Sequence, residues 1–74
     1  GGVRLTAKST ANIALDGSID FYADREGRWT AIADTGCSGV SVTGLRNPTT
    51  TCDTDQDPGV AQRYRVVYTP ATDA

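Results

Sequence analysis

The sequence predicts an all-β fold, a small antiparallel sandwich or partly open barrel of five to six short strands with one disulfide. Three observations carry this. Apolar and polar residues alternate with a period of two in several short runs, turn residues recur at intervals of about ten positions, and a helical period is absent. Composition agrees: eleven threonines and eight glycines stand beside one glutamate, with no methionine or histidine, which favours strands and turns over helices.

At 74 residues the chain forms a single β-rich domain, 1–74. A chain of this size hides only about 60% of the surface it exposes when unfolded, so its core is thin and usually needs a staple. Cys37 and Cys52 allow one intramolecular pairing. In an oxidising compartment, closing that loop removes roughly 3 kcal/mol of unfolded-state freedom.

Val3, Leu5 and Ala7 alternate with Arg4, Thr6 and Lys8, the pattern of a half-buried first strand. Asp16-Gly17 then reads as a two-residue hairpin turn between Asn12–Leu15 and Ser18–Ala23, because both central positions of such a turn favour φ > 0. Ile19, Phe21 and Ala23 alternate cleanly with Asp20, Tyr22 and Asp24. The segment Asp24 to Arg28 is expected to be a hairpin loop of three or more residues with Gly27 left-handed, returning as a strand from Trp29 to Ala33. After a turn at Gly36–Gly39, Val40 and Val42 mark a fourth short strand ending near Leu45.

From Arg46 to Ala61 the alternation disappears among Asn47-Pro48, three threonines in a row, Cys52, three alternating aspartates and Pro58-Gly59. A disulfide-tethered loop at 46–61 is predicted there. Gln62 to Thr69 restores a strand, with Tyr64, Val66 and Tyr68 on one face, and Pro70 ends it. The expected core is Leu5, Ile13, Leu15, Ile19, Phe21, Trp29, Ala31, Val40, Val42, Tyr64, Val66 and Tyr68. Trp29 is expected to be its largest contributor.

A formal charge of −2 with six scattered arginines and one lysine gives no attraction toward nucleic acid. If nucleic acid were bound, Arg63-Tyr64-Arg65 would be the place to look. No apolar run approaches the roughly 20 residues of a membrane-spanning helix, so this segment is expected not to insert into a membrane. No charged and apolar leader pattern opens the sequence, so the chain is expected to be a processed product or a cut piece of a longer one.

Candidate chemistry is confined to carboxylates. Without histidine there is no Ser-His-Asp or Cys-His arrangement, two cysteines alone make no zinc site, and no phosphate-binding loop is present. Proline excludes Asn47-Pro48-Thr49 as a glycan acceptor. Asp53, Asp55 and Asp57, in the form D-x-D-x-D-P-G, could converge oxygens on a calcium ion, the one cofactor the sequence suggests. Relative to an EF-hand loop, however, Pro58 stands where glycine is needed and Tyr64 where the closing glutamate is needed.

Asp34-Thr35-Gly36, preceded by apolar Ala31 to Ala33, resembles the active-site tripeptide of retropepsin-like aspartic proteases. That resemblance implies Asp34 as catalytic acid and base, with Thr35 and Gly36 shaping its turn. It also implies a dimer, because two such aspartates share one proton and activate a water. The alternative is a structural turn that positions Cys37 for Cys52.

The expected function is that of a non-catalytic extracellular or cell-surface β module, contacting a protein or surface partner or assembling with itself as a pilus-like filament subunit. Two alternatives stay open: a small secreted hydrolase inhibitor, and a minimal dimeric aspartic protease using Asp34.

Overall fold

The alternation through Ile19, Phe21 and Ala23 sets the centre of the fold. A computed structural model describes residues 2–54 and 63–71. Six strands form there: β1 (Val3–Lys8), β2 (Leu15–Arg25), β3 (Arg28–Ala31), β4 (Val40–Leu45), β5 (Thr49–Thr54) and β6 (Tyr64–Pro70). All pairings are antiparallel, in two sheets that do not close into a barrel. The expectation of an all-β fold of short antiparallel strands with one disulfide therefore holds.

The eleven-residue strand β2 is the axis of the larger sheet. Its odd-numbered backbone groups face β3 and β4, as in the Ile32 N–H donating to the Phe21 carbonyl at 2.9 Å. Its even-numbered groups face β6, as in the Asp24 N–H donating to the Arg63 carbonyl at 2.8 Å. The smaller sheet is β1 with β5. Beyond it the pairing runs on, because Ser9 and Ala11 N–H groups donate to the carbonyls of Pro48 and Arg46.

Side chains alternate across each strand, so one face of β2 supplies Ile19, Phe21 and Ala23 to the core, all buried. Ile32, Val42 and the two cysteines complete the buried cluster, with Leu5, Ala7, Leu15, Tyr64 and Tyr68 packed against it. Full burial of a side chain such as Ile19 or Phe21 contributes roughly 1.5–3 kcal/mol. The smaller sheet turns Leu5 opposite Cys52 and Ala7 opposite Thr50.

Four sequence expectations are corrected. Asp16-Gly17 is not a hairpin turn but lies inside β2. Gly17 is required there for a different reason: a Cβ would collide with the Thr69 carbonyl oxygen and lie 2.8 Å from the Pro70 Cα. The close approach is fixed by the Ala71 N–H donating to the Asp16 carbonyl and by the Tyr68 hydroxyl, which bonds both backbone groups of Asp16 at 3.0 Å. Gly17→Ala is expected to cost about 1–3 kcal/mol as overpacking, read as a lower midpoint in a urea melt.

Secondly, Thr49–Thr54 in the predicted 46–61 loop is strand β5; residues 55–61 lie outside the described residues. Thr50, Cys52 and Thr54 are buried while Thr49, Thr51 and Asp53 are exposed. The alternation is real, but threonine occupies both faces and leaves little apolar contrast to read. Thirdly, Ile13 is 73% exposed and Val66 37% exposed, so neither is a core residue.

The fourth correction concerns Trp29 and Ala31. The β2–β3 hairpin closes with only two residues, Glu26 and Gly27, at φ 55° and 81°. That is the turn whose twist matches paired strands, with both central residues left-handed. The Asp24 carboxylate accepts the Gly27 N–H at 3.0 Å. A three-residue loop would place Trp29 opposite Ala23, on the core face. The observed turn places it opposite Asp24, on the outer face. One residue of register exchanges the faces of a strand, and so Ile32 enters the core while Trp29 and Ala31 leave it.

Candidate functional site

Ala33 to Gly39 is an excursion within one edge of β2. Backbone bonds to Phe21 bracket it: Ile32 enters as above, and the Cys37 carbonyl accepts the Phe21 N–H at 2.9 Å. In between, the Cys37 N–H donates to the Asp34 carbonyl at 3.0 Å, closing a turn in which Gly36 has φ 84°. A left-handed third residue suits glycine, as in a type II turn. On leaving the turn, the Ser38 hydroxyl and the Gly39 N–H both donate to the Asp20 carboxylate, at 3.2 and 2.7 Å.

This geometry delivers Cys37 to Cys52 on β5, and the two form the disulfide, with both residues fully buried. The bond ties the β2-centred sheet to the β1–β5 sheet. It is consistent with an oxidising location. The Asp34 backbone thus has a structural part, turning the chain toward Cys37.

Asp53, the first of the three candidate calcium ligands, stands at the exposed edge of β5. Arg4, its partner in the β1–β5 register, donates to it from Nε at 2.7 Å and from a terminal nitrogen at 3.2 Å. Asp55 and Asp57 lie outside the described residues. Among the described residues no cluster of three metal-ligating side chains occurs. The Arg4 hydrogen bonds hold the Asp53 carboxyl below its ordinary pKa, against a smaller opposing effect of desolvation, and the Arg4 guanidinium is raised in turn. A depressed folded-state pKa adds stability above the unfolded carboxylate pKa, and that stability is lost as pH falls through the folded value. The pair is fully solvated and screened, so the expected signature is local. In an NMR titration Asp53 should protonate below the ordinary range of about 3.9, and Arg4→Ala should return it there.

The feature that sequence reasoning missed is on the outer face of the larger sheet. Across β3, β2 and β6, Trp29 stands opposite Asp24, with Arg63 bonded beyond it, while Ala31, Tyr22 and Arg65 make the next row. The Arg65 guanidinium carbon lies 4.7 Å from the Trp29 ring centroid and 5.9 Å from that of Tyr22. Arg63 lies 5.2 Å from the Trp29 centroid. Each such contact contributes about 0.5–1 kcal/mol at an exposed site. Asp24 is committed within the face, accepting the Gly27 N–H and facing the Arg63 Nε at 3.3 Å.

Only Arg63-Tyr64-Arg65 gave a sequence signal for this cluster. The remaining members come from positions some forty residues earlier and become neighbours through the register of β2. The side chains carry donors, a cationic pair and aromatic rings, which suits recognition of a partner.

The fold and this face define the class of protein: a small disulfide-stapled β module of two antiparallel sheets with an aromatic and arginine-rich outer surface. No protein-family model, curated protein or solved structure gives a significant match to the chain. Among the described residues no helix is long and apolar enough to cross a membrane.

Proposed function

We propose that the chain is a non-catalytic binding module of the cell exterior, which presents the outer face of β3, β2 and β6 to a protein or cell-surface partner. The observation that carries this reading is Trp29, the sole tryptophan, held on the outer face of the sheet against two guanidiniums instead of in the core. Tryptophan, tyrosine and arginine are the residues that concentrate binding energy at interfaces. A rigid central strand and a cross-sheet disulfide hold them in place, which reduces the ordering cost of binding. A pilus-like subunit is one form of this reading, in which the partner is another subunit.

The test is binding of the labelled chain to the outer surface of the cells that produce it. Trp29→Ala is expected to lower binding at least about tenfold, the loss of a typical hot-spot residue. Thr51→Ala, on the exposed side of β5, should leave it unchanged, and so should Asp34→Asn. Equal binding by wild type and Trp29→Ala would reject the reading, and loss of a peptide-cleaving activity in Asp34→Asn would favour the protease alternative.

A further inference from the structure

The charge around Trp29 is opposite in sign to that of the chain. Arg25 pairs with Arg28 beside the β2–β3 turn, and Arg63 and Arg65 stand over the Trp29 ring. Arg25 and Arg28 project to the other face of the sheet, so on the outer face Arg63 and Arg65 stand against Asp24 alone, a local balance of +1 within a chain of formal charge −2. Asp24 is already occupied by the Gly27 N–H and the Arg63 Nε, while the Arg63 side chain remains 68% exposed. Neither ion pair of the described residues involves Arg65.

We infer that this face takes a short, extended acidic segment of a partner protein, with carboxylates on alternate residues meeting Arg65 and Arg63. The inference rests on the binding reading above and supplies the chemistry of its partner. Arg63 and Arg65 are two residues apart beside and within β6, so they share a face and repeat at about 6.6–6.8 Å. An extended peptide repeats its own same-side carboxylates at that spacing. A guanidinium packed against an aromatic ring is held in one orientation while its N–H edge stays available, and that edge matches a carboxylate with two parallel hydrogen bonds.

The extent of positive charge sets the length of the segment. Farther along the outer face of β2, beyond Tyr22, come Asp20 and Asp16. A long polyanion such as a nucleic-acid strand tracking the sheet would meet these carboxylates, whereas two or three residues of acidic peptide cover only the arginine rows.

Trp29 reports on the site directly, since it is the only tryptophan. The full chain is titrated at low salt, following its fluorescence, with a blocked peptide bearing aspartate at alternate positions, with the asparagine version of that peptide, and with an oligothymidylate of equal charge. The acidic peptide is expected to give a saturable change that weakens with salt, at least about tenfold tighter than either competitor. Arg65→Ala and Arg65→Lys should each weaken it several-fold. The lysine keeps a cation over the rings and so the melting temperature, and weakens binding because it cannot form the two-bond contact, whereas the alanine also loses both ring contacts and melts lower. Equal binding of the asparagine peptide, tighter binding of the oligothymidylate, or no saturable change would overturn the inference. If that happens while Trp29→Ala still abolishes binding to cells, the acidic-segment inference falls and the binding reading stands. If Trp29→Ala leaves binding to cells intact, the binding reading itself falls.

Discussion

Loss of the Cys37–Cys52 bond is expected to remove most of the stability of the domain. The crosslink spans fifteen residues of sequence and joins the turn beside β2 to β5, so it restricts the unfolded chain between them. Closing a loop of that size contributes about 3 kcal/mol. A domain of 74 residues has a total stability of roughly 4–11 kcal/mol by the usual per-residue range, and a thin core places it toward the lower end. Both cysteines are fully buried at the centre of the cluster. A Cys37→Ala, Cys52→Ala double variant therefore also gives up packing between the sheets. Urea denaturation of the oxidised, reduced and double-alanine forms measures this. A loss of less than about 1 kcal/mol of unfolding free energy on reduction would show that the β1–β5 sheet is held mainly by other contacts.

What the sequence made legible divides by physical cause. The first strand, the inward face of β2 and the pairing of the cysteines were readable because each is a local pattern or has a single solution. Strand β5 was not, because Thr50 and Thr54 are buried and Thr49 and Thr51 exposed, and a run of identical residues conceals its own alternation. Gly17 was misread because Asp-Gly is a strong local turn signal. Its actual constraint, the backbone of Thr69 and Pro70, lies more than fifty residues away. A contact of that kind leaves no mark in the neighbouring sequence.

The candidate site follows the same rule. The tripeptide at Asp34 was visible because it is contiguous, and in the fold its backbone serves the approach of Cys37 to Cys52. The cluster of Tyr22, Asp24, Trp29, Arg63 and Arg65 is assembled from three strands. Reading it required the register of the β2–β3 hairpin, and hence the length of a turn. With Glu26 accepting a left-handed conformation, which side chains other than glycine adopt infrequently, the shorter turn was the less obvious choice.

That register makes a quantitative contrast between two aromatic residues on opposite faces of the same sheet. Phe21 is 2% exposed, between Ile19 and Ala23 on the core face. Its truncation to alanine leaves a cavity and is expected to cost about 3–5 kcal/mol, enough to unfold much of the population at ambient temperature. Trp29 is the larger side chain, but it rests on Arg63 and Arg65 outside the sheet. Its truncation removes two cation–π contacts worth about 0.5–1 kcal/mol each at exposed sites, and is expected to cost at most about 2 kcal/mol while leaving the fold intact. Chemical denaturation of Phe21→Ala and Trp29→Ala in parallel distinguishes the two registers. With a three-residue hairpin loop Trp29 would lie in the core and its loss would match or exceed that of Phe21. With the two-residue turn, Phe21→Ala loses stability, whereas Trp29→Ala loses binding and keeps its fold.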